Sequence, residues 1–488
     1  MELVSPAGNI DKLYYAYTYG ADAAYIGLKR FSLRIKADNF YEDEYKQVIE
    51  LKKKYPHKRL FCALNITFHN HDIEQFIKNI DYFKCYPIDS FIVQDIGIVP
   101  VLQKHFPNTA LHLSTQANCV NSGAVKMYRS IGFRRIVLGR EASLDEIRQI
   151  KDAVPDMELE CFAHGAMCVA YSGRCLLSAY LTGRSANSGF CSQSCRWNYD
   201  VLADPKKLAE SGALVLEEHE RPGEYFPVYE GDDFTAVLSS KDLRMIEHLD
   251  DMKKAGVDAI KIEGRMKSIY YVALVTRAYR KALDAQEGII TREQAEPFVQ
   301  ELDNVSHRES TTGFYYNRGN ADKTTVGATD SPYILTATIS TRLTQQQESD
   351  VFKAAERTEQ EFQTRLDSMH PQARQAAEED YRLHPEKVPH GITAQDGWHL
   401  YEVQALNKFS PEDTLECITP DTVCTVLEPG SWRMADPRTG TLLDWVCNGH
   451  SCVLYTRQEL PGGTLIRTKD PDFIPGTIRD PGRDKAAL

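Results

Sequence analysis

Long apolar runs are missing from this 488-residue sequence: none approaches the roughly 18 residues of a membrane span. The opening "MELVSPAGN" lacks the basic region and apolar core of a secretory leader, so a cytoplasmic protein with no membrane partner is expected. Positive charge is also short, with 57 Lys and Arg against 69 Asp and Glu and a net charge of −12. That balance argues against sequence-independent coating of nucleic acid, which rests on many phosphate contacts. No H-E-x-x-H helix and no G-x-S-x-G elbow occurs, and "HNH" at His69–His71 reads as loop rather than ligand set. Disulfides are not expected either, because a reducing cytosol keeps thiols free even where there are twelve.

The length implies two or three domains. Over the first 300 residues, short β-branched runs alternate with helical patterns. Expected strands are Glu2–Gly8, Ala23–Leu28, Leu60–Asn65, Ser90–Asp95, Ala110–Gln116, Arg135–Arg140, Leu159–Gly165 and Ala259–Arg265. Helices between them open at N-cap residues such as Asn9 and Ser143. The phrases "YGADAAYIG", "IGFRRIVLG" and "AGVDAIKIEG" each place Gly after a helix and before a strand, as a C-cap requires. Eight such strands indicate an α/β protein, a (β/α)8 TIM-like barrel, with a doubly wound open sheet as the alternative.

The gap between the seventh and eighth strands is about twice the usual size, and an additional strand is expected within it at Phe234–Leu243. The same gap carries "CVAYSGRCLLSAYLTGRSANSGFCSQSC", with Cys168, Cys175, Cys191 and Cys195 spaced C-x6-C-x15-C-x3-C. Four thiolates suit a zinc ion or an iron–sulfur cluster, and spacing alone leaves both open. The intervening Gly, Ser and Asn let backbone N–H groups approach sulfur. The other eight cysteines fall mostly in apolar runs and read as small buried hydrophobes. Polar residues close several strands: Arg140, His164, Lys261, Glu263 and Arg265, with Lys241 in the enlarged loop. In a barrel these face one mouth and form a candidate seat for an anionic small molecule. A basic stretch, "LKRFSLRIKADNF", supplies Lys29, Arg30, Arg34 and Lys36 as candidate RNA contacts.

Beyond residue 320 the pattern changes. Alternating strands divided by Pro, Gly and Asp turns indicate a small β-barrel or sandwich, interrupted by a charged helical hairpin expected to be solvated. The expected division is 1–325 for the TIM-like domain, 326–341 with 396–475 for the β domain, 342–395 for the helical insertion and 476–488 for a flexible tail. Lys408, Arg457 and Arg467 are candidate phosphate contacts in the β domain.

Several segments carry a resemblance: "ELVSPAGNIDKLYYAYTYGADAAYIG", "QDIGIV", "LHLSTQANC", "FAHGAMCVAYSGRCLLSAYLTGRSANSGFCSQSCRWNY", "SSKDL" and "KIEGRMKSIYYVALVTRAYRKALD". From Glu2 to Tyr316, and again at "EVQALNKFSPEDTLECITP", the chain resembles the collagenase-like peptidase family numbered thirty-two among peptidases of unknown type. It is most similar to the branch that hydroxylates the wobble uridine of tRNA using prephenate. The resemblance implies a 4Fe–4S cluster on Cys168, Cys175, Cys191 and Cys195, prephenate as co-substrate and tRNA as partner; a homo- or hetero-oligomer is a separate expectation. It assigns no catalytic base. The alternatives it leaves are a 23S rRNA cytidine hydroxylase and a collagenase-like peptidase.

Overall fold

The computed structural model describes residues 1–28, 31–32, 39–40, 43–168, 170–188, 190–192, 195, 215–217, 225–227, 229–230, 235–236, 240–316 and 329–474. They fall into two compact units that part between Asp330 and Ser331.

The first unit is a closed parallel barrel. Its strands are β1 (Glu2–Pro6), β2 (Ala23–Ile26), β3 (Arg59–Leu64), β4 (Ser90–Val93), β5 (Ala110–Leu113), β6 (Phe133–Val137) and β7 (Glu158–Ala166). Beyond β7 lie β8 (Asp242–Arg244) and β9 (Ala259–Ile262). Neighbours pair in chain order from β1 to β7, and β9 closes the ring by pairing with both β7 and β1. All eight expected barrel strands form. β7, at nine residues, outruns its neighbours, and β8 adds antiparallel to its protruding end, Asp242 opposite Ala166. Of the additional strand expected at Phe234–Leu243, only Thr235–Ala236 and the start of β8 are extended among the described residues, and β8 pairs outside the ring. A short β10 (Ser310–Thr311) pairs with β8.

Helices α1 (Ile10–Thr18), α2 (Tyr45–Lys54), α3 (Asn70–Lys78), α4 (Val99–His105), α5 (Ser122–Ser130) and α6 (Leu144–Ala153) alternate with the strands. Capping sets their starts: Asn9 accepts from Lys12 N at 2.9 Å, and Ser143 and Glu146 form a reciprocal capping box. The three glycines of the repeated phrase all turn left-handed, Gly20 at φ 106°, Gly132 at 105° and Gly256 at 89°. Any other residue would be strained there, and at Gly20 a Cβ would also sit 2.5 Å from Arg280 Cγ. After β7 come α7 (Leu177–Thr182), α8 (Leu249–Lys254), the largely buried α9 (Ile269–Gln286) and α10 (Arg292–Gln300).

The second unit is a seven-stranded antiparallel sheet curled into a half-barrel. It contains β11 (Tyr333–Arg342), β12 (His399–Ala405), β13 (Leu415–Ile418), β14 (Thr425–Leu427), β15 (Trp432–Ala435), β16 (Ser451–Thr456) and β17 (Leu465–Lys469), in the order 14-13-17-11-12-16-15. Trp432, Phe409 and Ile339 belong to the core on one face. Between β11 and β12 run α11 (Gln345–Asp367) and α12 (Pro371–Leu383). This hairpin is only partly solvated: Val351 and Ala355 of α11 pack on Leu400, Val453 and Tyr455 of the sheet's other face. α12 buries nothing. Among the remaining cysteines, Cys62, Cys119, Cys161, Cys417 and Cys452 are buried as expected, whereas Cys85 is exposed.

Candidate functional site

A cavity of about 200 Å³ opens at the C-terminal mouth of the barrel. Cys168, Cys175, Cys191 and Cys195 all line it, together with Arg140, Lys261, Glu263 and Arg265. Residues in or just past seven of the ring's strands, β2 to β7 and β9, meet there, and no local sequence signal links them.

The cysteine-bearing segment is held by hydrogen bonds to the strand ends. Glu141, just past β6, accepts from Ser172 N at 2.7 Å and Ser172 Oγ at 3.1 Å. Its other oxygen accepts from Asn118 Nδ2 at 3.1 Å. Gly173 lies at φ 73°, and a Cβ there would stand 1.9 Å from the Gln116 carbonyl oxygen, so the backbone approach demands glycine. Further along, Thr67 N donates to Asn187 O at 3.0 Å. Buried Ser178 of α7 donates to Arg184 O at 2.7 Å and accepts from Ser192 N at 3.0 Å. Among the described residues no three His, Cys, Asp or Glu side chains converge on a single-ion site.

The cations differ in how far they are committed. Arg140 lies 4.0 Å over the Phe162 ring, donates from Nη1 to Ala166 O at 2.8 Å and stands 3.8 Å from Glu263. Its buried Nε has no hydrogen-bond partner among the described residues. Lys261 is bound to Glu160 at 2.8 Å and sits 4.3 Å over the Tyr25 ring. Arg265, 2 % exposed, donates from Nη1 to Ser32 Oγ at 2.7 Å. Gly27 makes room for it: a Cβ there would lie 2.2 Å from Arg265 Nη1.

Beneath the cavity the barrel interior carries an ionic ladder that the sequence reading missed. Glu160 bridges Lys261 and Arg135, the latter at 2.9 Å, and Arg135 continues to Glu2 at 2.5 Å and Glu158 at 2.6 Å. Burial works against the charge of Glu160, but Lys261 and Arg135 outweigh it and hold the carboxyl at about 2. His112 beside them is held neutral, well below its ordinary range, by burial and by the Arg135 charge. The signal was present in "LECFAHG": a Glu two residues before an inward Phe, between apolar Leu159 and Cys161.

Two expected residues lie elsewhere. His164 was expected at the mouth, but the β7–β9 register shifts between Lys261 and Ile262, pairing Lys261 with Phe162 and Ile262 with His164. The extra residue, Ala163, reverses the alternation, so His164 faces α9, where Tyr279 OH lies 3.3 Å from Nδ1. Burial lowers its pKa to about 3. Lys241 pairs with Glu309 beside β8 and does not line the cavity. Lys29, Arg30, Arg34 and Lys36 lie outside the described residues. In the second unit Arg467 is no phosphate contact: it is 2 % exposed, bound to Glu416 at 2.7 Å and stacked 3.6 Å from the Tyr333 ring.

The model for peptidase family U32 matches residues 8–325, a span that contains every described residue lining the cavity. The chain belongs to that family. The tRNA hydroxylation protein P of Escherichia coli (strain K12) is 38% identical over 344 residues, covering 64% of this chain and 74% of that protein. The 23S rRNA 5-hydroxycytidine C2501 synthase of the same organism is 36% identical over 68% of this chain but only 47% of its own length. A collagenase of Porphyromonas gingivalis (strain ATCC BAA-308 / W83) is 29% identical over 64% of this chain and 73% of that protein. Family membership thus spans nucleic-acid hydroxylation and peptidase names, and the choice between them rests on the cavity.

Proposed function

We propose that this protein hydroxylates tRNA, replacing C5–H of the wobble uridine by C5–OH, with prephenate as co-substrate and a 4Fe–4S cluster on Cys168, Cys175, Cys191 and Cys195. The observation that carries the reading is the meeting of all four thiols with Arg140 in one cavity. A zinc site draws its sulfurs in to about 2.3 Å from one ion. A four-iron cluster takes one thiolate at each of its corners, and the four cysteines that line this cavity match that number. When bound, the cluster supplies one-electron chemistry.

The chain's own residues seat the anion and order the site. Prephenate carries two carboxylates, and Arg140 offers a guanidinium edge for one of them. Arg265 and Lys261 are already engaged, by Ser32 and Glu160, and contribute positive field rather than a free fork. Phe162 and Tyr25 give the cavity an apolar wall against a ring. The peptidase reading has less support: no histidine is among the described lining residues, so neither Ser nor Cys there has an imidazole base.

The test is mass spectrometry of nucleosides from tRNA and 23S rRNA of a strain lacking the gene. Loss of wobble 5-hydroxyuridine, restored by the wild-type gene, is expected. Loss of 5-hydroxycytidine from rRNA with unchanged tRNA would transfer the protein to the other branch. Anaerobically purified protein should hold about four iron and four sulfide per chain, and Cys168→Ser or Cys191→Ser should bleach it. Stoichiometric zinc without visible absorbance would overturn the cluster.

A further inference from the structure

Exposed hydrophobic side chains are ordinary when scattered and informative when concentrated. Of the sixteen large ones exposed among the described residues, five lie between Tyr171 and Phe190, in the segment that carries the cysteines. Tyr180 is 86 % exposed, Leu176 74 % and Tyr171 62 %. The segment is not loose, because Ser178 ties α7 to both Arg184 and Ser192. Its charge is as unusual as its exposure. From Cys168 to Cys195 there is no Asp, Glu or Lys, yet Arg174 and Arg184 are present, in a chain of net charge −12. Arg174 is exposed, and the buried Nη2 of Arg184 has no hydrogen-bond partner among the described residues.

We propose that this face, centred on Tyr180 and Phe190, is a stacking surface for unpaired RNA bases that leads a single strand to the cavity. This rests on the RNA-modifying reading above. Aromatic rings take the face of any base, and guanidinium groups answer the phosphates between them without reading sequence. A duplex keeps its bases stacked on each other and offers nothing to such rings. Tyr171 supplies the link inward, since it both lines the cavity and is exposed. The absence of carboxylates from this one segment matches a polyanion, against the trend of the whole chain.

The test is fluorescence anisotropy of the purified holoprotein with a labelled single-stranded RNA heptamer and with the same heptamer annealed into a duplex. Tyr180→Ala and Phe190→Ala should each weaken single-strand binding by about 5- to 150-fold, the value of one base stack. Tyr180→Trp should retain binding, and visible absorbance and circular dichroism should be unchanged in all three. Unaltered single-strand affinity in both alanine variants overturns the proposal, as does an equal loss for the duplex. Binding of anionic phosphatidylglycerol vesicles that depends on Tyr180 while RNA affinity does not would also overturn it, and assign the face to a membrane. Single-strand binding lost in the variants, in a protein whose deletion leaves all tRNA and rRNA nucleosides unchanged, would leave this surface standing and sink the hydroxylase reading.

Discussion

Glu160 is the residue on which the charges of the barrel interior depend. Removing its charge leaves buried Lys261 without its carboxylate partner and beside Arg135, which keeps Glu2 and Glu158. Glu160→Gln should destabilise the first unit by roughly 3–5 kcal/mol at pH 7, measured by urea unfolding. The pH dependence has a definite sign. The folded pKa of Glu160 is depressed to about 2, so its stabilisation is present above the unfolded value of 4.5 and is lost as pH falls towards 2. His164 acts over a different window. It stays neutral to about pH 3 when folded but charges near 6.5 when unfolded, so its environment erodes stability from about pH 6.5 down to 3. His164→Phe should therefore flatten the slope of stability against pH between 6.5 and 4.5, where Glu160 contributes little. An unchanged slope there would contradict the burial of His164. At the mouth, Arg140→Lys keeps the charge but loses the fork. A higher prephenate concentration for half-maximal modification, with the visible absorbance intact, is expected.

The cysteine-bearing segment behaves as an element in its own right, fastened to the barrel at Ser172 and Asn187, seated against Gln116 at Gly173 and tied within itself by Ser178. Gly173→Ala places a methyl group against the Gln116 carbonyl and strains the left-handed backbone. Loss of visible absorbance with a near-normal far-ultraviolet spectrum is the expected result, because the barrel does not depend on this contact. Retained iron and absorbance would show that the segment can shift without releasing Cys175. The helical insertion of the second unit offers the opposite contrast within one hairpin. Val351→Asp buries a carboxylate without a counter-charge against Leu400 and Tyr455, and should cost several kcal/mol. Substitutions along α12, which buries no residue, should stay within about 0.5 kcal/mol.

At the scale of the whole molecule, the separation into two compact units predicts that a chain ending at Asp330 folds by itself. Such a truncation should keep the cavity, since every described lining residue lies before residue 315. If the β unit helps to present tRNA, the truncated protein should bind tRNA more weakly while its absorbance is unchanged. Lys408 and Arg457 are the residues to test in that unit, and Arg467→Ala should instead lower its stability by stranding Glu416. Equal modification efficiency in full-length and truncated protein would remove the β unit from RNA presentation.

The barrel was legible in the sequence because its signals are local: short continuous apolar, β-branched runs, N-caps at Asn9 and Ser143, and glycines where the chain must turn left-handed. The four cysteines were legible as a group because they share one segment. What only the tertiary structure decided is which polar residues face which cavity. His164 and Lys261 sit on paired strands and read alike in sequence, yet one bulge at Ala163 sends the histidine outward while the lysine stays at the cavity. Arg140 and Arg265 also read alike, and Ser32, distant in sequence from Arg265, engages only the latter. The pairing of Glu160 with both Arg135 and Lys261 joins three strands. Strand propensity acts over a few neighbouring residues, whereas ion pairing and register depend on which strands the closed ring places side by side.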